Sequence, residues 1–314
     1  MLCEDNGMKD RTVDPRSSAE TRGLWYGFFG VVGFSLTLPA TRVAVTYFDP
    51  VLVGLGRALV AAVLAAALLA VTRQAWPARV HLKGLLIVVA GAIVGFPLLS
   101  SWAMREVPAA HAAIVIGIVP LATALAAVFR TGERPSLGFW LTSVLGGATV
   151  ITFALMSGAG QLQAADILLL MGVAAVALGY AEGGRLAQIL GGWQVICWAL
   201  VIAAPLLLVP VGWVAWQQNL NDLQNVPWSA WLAFGYVSVI SQWLAFFLWY
   251  HGMALGGVAR VSQMQLLQPF LTLMAAGLFL GEAVTGTMLM FALAVVAIVA
   301  VGKNMPVVRG ARKK

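Results

Sequence analysis

Ten stretches of 17 to 23 apolar residues, set apart by short polar turns, run along this chain at 23–45, 50–71, 82–103, 109–129, 137–156, 167–187, 193–213, 228–250, 258–280 and 285–301. Each is continuously apolar rather than alternating with period two. The expected element is therefore a helix, which satisfies its own backbone, and not a barrel strand. At 1.5 Å per residue, about 20 residues cover roughly 30 Å of hydrocarbon. The pattern predicts an all-α integral membrane protein with ten transmembrane helices and loops too short to hold a separate soluble domain.

Composition supports this reading. With 61% hydrophobic and 10% charged residues in 314, the chain lacks the polar surface of a water-soluble globule. Residues 1–22 carry Glu4, Asp5, Lys9, Asp10, Arg11, Asp14, Arg16, Glu20 and Arg22 around no apolar core. They read as a disordered tail and not as a cleavable signal peptide. Cys3 lies in that tail and Cys197 in the seventh stretch, so no disulfide framework is expected.

A net charge of +7 would suggest nucleic acid for a soluble protein, but in a membrane protein the placement of Lys and Arg matters first. With the amino terminus inside, 16 of the 19 basic residues fall on the inner side, and Arg42, Arg57 and Arg105 are assigned outside. Both termini are expected to be cytoplasmic, the carboxy-terminal one as a basic tail over 302–314. A bacterial cytoplasmic membrane is the expected location, with the lipid bilayer as partner and no nucleic acid.

Sliding the sequence by 149 residues aligns Leu99 with Leu248, Met104 with Met253, Pro120 with Pro269, Thr123 with Thr272, and Gly132-Glu133 with Gly281-Glu282. Alanine matches are cheap in this composition; a mid-span proline, a threonine three residues on and a Gly-Glu turn at fixed distances indicate a duplication. The repeats are expected over 23–156 and 167–301. Each holds five spans, and five is odd, so the second copy enters the membrane from the opposite face. Inverted repeats of this kind enclose a midplane site in alternating-access carriers.

The ten-span layout, Phe48-Asp49-Pro50 ahead of Arg57, and the paired Pro120/Gly132-Glu133-Arg134 and Pro269/Gly281-Glu282 arrangements resemble EamA-type members of the drug/metabolite transporter superfamily. The resemblance covers 23–301. It implies two five-helix bundles around a cavity lined mainly by spans 1, 3, 4, 6, 8 and 9, with spans 5 and 10 peripheral. It also implies export of amino acids, their metabolites or hydrophobic drugs.

Several polar residues inside the spans could carry transport. Pro39, Pro97, Pro120 and Pro269 each remove a backbone hydrogen bond, and the freed carbonyls need a partner. They mark candidate helix breaks beside Phe34, Ser35, Thr123 and Thr272, although a proline can also merely curve its helix. Ser262, Gln265, Pro269 and Thr272 share one face of span 9, flanked by Gln268. Amides unpaired against lipid are costly, so this face should meet a cavity or a partner helix. Glu182, the carboxylate well inside a span, is a functional candidate for a substrate ammonium or a coupling proton. Arg185 one turn away offers a structural ion pair instead. Gly183 and Gly184 beside it either loosen the helix or permit close packing. Gln242, Trp243, Tyr180 and Trp102 could form an aromatic wall, or simply pack.

The function expected is secondary transport of a small-molecule substrate, amino acids foremost, with hydrophobic or cationic drugs as an alternative and a non-transporting scaffold or channel subunit as another class. No nucleophile with its base, metal-ligand cluster or phosphate loop is grouped in the sequence, so neither catalysis, a cofactor nor a metal is expected. The substrate's own gradient or proton exchange could drive net export.

Overall fold

The computed structural model describes residues 15–156, 164–217, 225–280, 286–302 and 305–308. Six helical runs among them are long and apolar enough to cross a membrane: Ser18–Val45, Leu52–Val71, Arg79–Glu106, Ala164–Leu190, Gly192–Gln217 and Trp228–Gly256. Helices cover the other apolar stretches as well. These are Ala109–Ile116 with Val119–Thr131, Leu137–Met156, Val258–Ser262 with Gln268–Leu280, and Gly286–Gly302.

Where the chain is interrupted, proline explains the position. Pro120 and Pro269 occupy the first turn of Val119–Thr131 and Gln268–Leu280, Pro97 that of Phe96–Glu106, and Pro39 that of Thr37–Val45. A first-turn residue has no intrahelical acceptor for its N–H, so proline costs little there and ends the preceding piece. The fourth and ninth apolar stretches are thus broken helices and not continuous spans. Just ahead of Pro269 the backbone tightens into a 3₁₀ segment, Gln263–Leu267. Wider, π-type turns occupy Val89–Gly95 and Tyr236–Leu244. Shifted by 149 residues, the first of these falls on 238–244, inside the second.

The first helix begins at Pro15, within the stretch expected to be a tail, and Glu20 pairs with Arg260 there. Residues 1–14, the Gly281-Glu282 turn and most of the carboxy-terminal tail lie outside the described residues. Part of that last segment, Val307–Val308, pairs antiparallel with Arg134–Pro135.

Ala164–Leu190 is the central helix, buried from Ala165 to Ala187 on the faces that meet Val119–Thr131, Phe96–Glu106 and Val89–Gly95. Glycine lets two helix pairs approach closely. Gly23 lies against Gly252 and Gly256 of Ala245–Gly256, where an added Cβ would stand 2.5 Å from the Gly256 nitrogen. At Gly179 a Cβ would stand 2.9 Å from the nitrogen of Ala92. Helix association in lipid depends on such small-residue contacts because lipid tails already satisfy apolar side chains.

Gly23→Val is expected to lower stability by about 1–3 kcal/mol, the usual cost of overpacking a tight contact. Gly212→Ala, at an exposed position inside Gly192–Gln217 with nothing within 4 Å of the new methyl, should leave it unchanged or raise it by up to about 1 kcal/mol. Thermal unfolding in detergent compares the two.

Candidate functional site

An internal cavity lies where the interrupted helices meet. Its lining comprises Phe34, Thr37 and Leu38 from the first apolar stretch, Arg57 from the second, Ala92 and Phe96 from the third, and Ile116 and Val119 from the fourth. Val176 and Tyr180 come from the sixth, Ser241, Gln242 and Phe246 from the eighth, and Gln265 and Gln268 from the ninth. The space between their atoms is about 460 Å³, but side chains pinch it so that room for water amounts to about 20 Å³, one or two molecules. A smaller cavity of about 200 Å³ adjoins it through Leu38, Ile116, Gln265 and Gln268, and is closed by Ala113, Pro269 and Thr272. The Leu137–Met156 and Gly286–Gly302 helices pack on each other, and none of the described lining residues comes from them.

Polar groups bridge the walls. The hydroxyls of Thr37 and Ser241 are 2.8 Å apart, Thr272 donates to the Ser35 carbonyl at 2.7 Å, and Tyr236 donates to the Gly33 carbonyl at 2.8 Å. On the apolar side, Phe34 and Phe246 sit edge to face with centroids 5.1 Å apart, and Tyr180 packs on both.

Of the residues expected to bind substrate, the structure gathers Phe34, Tyr180, Gln242, Gln265 and Gln268 at the cavity, with Thr272 next door and Ser35 hydrogen-bonded to it. Others are elsewhere. Trp102 is 39% exposed, so it forms no cavity wall. Trp243 turns to the Gly192–Gln217 helix, its indole N–H donating to Cys197 Sγ at 3.4 Å. Thr123 is buried off the lining. Gly183 and Gly184 break nothing, because the helix runs unbroken through them while they admit Tyr250 and Met253 at close range.

Arg57 is the principal residue missed. Assigned to the outer side from the charge count, it is 2% exposed and is the charged member of the cavity lining. The available signal was its place inside the second apolar stretch, where an ionisable residue is a functional candidate on its own terms.

The EamA-like transporter family profile matches the chain twice, over residues 21–155 and 163–301. The chain belongs to the EamA-like transporter family. It is accordingly a multi-pass membrane protein of a transporter family. The uncharacterized transporter YdeK of Bacillus subtilis (strain 168) is 44% identical over 284 residues, covering 90% of this chain and 98% of that protein. A solved crystal structure shares the fold at TM-score 0.69 and 18% identity, covering 90% of this chain and 98% of the other.

In this EamA-like chain the family-like motifs do structural work at helix ends. Asp49 accepts from the Val51 N–H at 2.7 Å, starting the next helical piece. Gly132 adopts φ +69°, a left-handed turn that glycine tolerates, and swings Glu133 onto the start of Val258–Ser262. There its two oxygens accept from the Val258 and Ala259 N–H groups at 2.9 and 2.8 Å, satisfying donors a helix start leaves unpaired.

Glu182 is engaged in ion pairs. Fully buried and off the cavity lining, its carboxylate meets Arg185 at 2.5 Å and Arg130 at 2.8 Å. Two guanidiniums occupy the oxygens that a substrate ammonium or a proton would need. The position follows from Arg130 ending the Val119–Thr131 helix that packs alongside, a neighbour invisible in the sequence. Two further pairs join helix starts: His111 with Asp166 at 2.5 Å, and Arg260 with Glu20.

Glu182→Gln should destabilise the detergent-purified protein by about 1–2 kcal/mol, less than for a fully buried pair because Arg130 and Arg185 are 37% and 38% exposed. A melting temperature equal to that of the unaltered protein would contradict the structural assignment.

Proposed function

We propose that this chain is a secondary transporter exporting small metabolites, amino acids foremost, across a bacterial cytoplasmic membrane. In this reading ten spans form two inverted five-helix repeats that rock about the central cavity, with both termini cytoplasmic. The observation that carries it is a cavity walled by side chains from both family matches, bridged between them by Thr37 and Ser241.

Several features support the inversion. The wide turns at Val89–Gly95 and Tyr236–Leu244, the breaks ahead of Pro120 and Pro269, and the pairs His111–Asp166 and Arg260–Glu20 recur under the same 149-residue shift or close to it, whereas the wide turn at Leu52–Gly56 does not. Glu20 with Arg260, Glu133 with Val258, and Arg134–Pro135 with Val307–Val308 join the amino-terminal, 4–5, 8–9 and carboxy-terminal segments. A ten-span inverted topology requires all of these on one face. Alternating access then has a simple form: opening one mouth separates Arg260 from Glu20, and opening the other separates His111 from Asp166.

Amides and hydroxyls beside an aromatic wall suit an amino acid with an apolar or aromatic side chain. Export then runs down the substrate's own gradient or in exchange for protons.

In liposomes preloaded with one amino acid, counterflow should be saturable for at least one member of an amino-acid panel; leakage without saturation would sink the carrier reading. In a background without Cys3 and Cys197, Arg105→Cys and its shifted equivalent Ala254→Cys should react with impermeant thiol reagents from opposite sides. Reaction from the same side would overturn the inversion.

A further inference from the structure

Arg57 is buried to 2% exposure in the cavity wall, and its Nε and Nη1 find no hydrogen-bond acceptor. The carboxylates that could neutralise it are engaged elsewhere among the described residues. Glu182 holds Arg130 and Arg185, Asp166 holds His111, Glu20 holds Arg260, Glu133 caps the Val258 helix, Asp49 caps its own turn, and Glu106 is exposed at the end of Phe96–Glu106 and is not in the cavity lining. Tyr180 and Gln265 share the cavity lining with it.

We propose that Arg57 is the substrate-binding cation of this transporter, receiving a carboxylate carried by the substrate, and that the cavity therefore selects organic anions and zwitterions over cations. The proposal rests on the transport reading and narrows its substrate class. A buried charge without a counter-ion is costly, and the cost is relieved when a ligand supplies the partner. The guanidinium presents its N–H donors in a planar fork that matches two carboxylate oxygens. Around it the lining sorts what remains of the ligand. Gln265 Oε1, buried and without a donor, can accept from an ammonium group. Phe34, Tyr180 and Phe246 offer an aromatic surface to an apolar side chain. A permanently cationic drug would meet like charge at close range with no carboxylate among the described lining residues to offset it.

The test uses full-length protein in detergent and in liposomes, with the amino-acid panel and the matching amino-acid amides as probes. Wild-type protein should bind and counterflow a member of the carboxylate set and not its amide. Arg57→Gln should weaken that carboxylate by about 10- to 100-fold and abolish the discrimination, with Arg57→Lys intermediate because it keeps the charge without the fork. Arg57→Met supplies a readout that needs no ligand: removing an uncompensated charge should leave the melting temperature of the empty protein unchanged or raised. A lowered melting temperature, or failure to fold, would make Arg57 a structural residue and overturn the proposal. So would equal handling of carboxylates by wild type and Arg57→Gln, or wild-type preference for amides and amines. Wild-type protein that binds carboxylates through Arg57 yet shows no counterflow would sink the transport reading and leave the binding assignment standing.

Discussion

Glycine-mediated contact between helices is the constraint on which the rest of the structure depends. In lipid, apolar side chains gain little by turning from tails to one another, so helices associate where backbones can come close. Gly23 and Gly27 against Gly252 and Gly256 bring the first helix onto Ala245–Gly256, and Gly179 against Gly91 brings Ala164–Leu190 onto the segment ahead of Phe96. Both contacts join residues from different family matches. The two matches are therefore clamped together twice, and the cavity is the space left between the clamps.

Around that frame, charge is distributed by position. Away from the cavity it is neutralised: Glu182 inside its helix between two arginines, His111 with Asp166, Arg260 with Glu20, and Glu133 on a helix start. These groups hold neighbouring helices in register without entering the cavity. At the centre the Arg57 guanidinium has no acid beside it among the described residues, only amides and aromatic rings. A membrane interior tolerates such a group only where protein or a ligand surrounds it, which makes the contrast between paired rim and unpaired centre informative about function.

Interrupted helices link the frame to the cavity. Where the chain passes Pro97, Pro120 and Pro269, and through the wide turns at Val89–Gly95 and Tyr236–Leu244, backbone regularity is relaxed beside the lining residues. Irregular backbone at this depth is stable because it is enclosed by other helices rather than exposed to lipid.

The sequence by itself determined that the chain is helical and apolar, since runs of about 20 apolar residues admit few other structures, and it marked the prolines at which helices restart. It also placed Gln242, Gln265, Gln268 and Tyr180 among the residues to watch, because polar groups inside apolar runs must face something other than lipid. Only the tertiary structure decided their partners. Glu182 looked available until Arg130, 52 residues away, was packed beside it, and Trp243 looked inward until its indole met Cys197. Arg57 was misplaced for the same reason: a charge count assigns a side of the membrane, but whether a guanidinium reaches water, an acid or an empty cavity depends on which helices the glycines bring together.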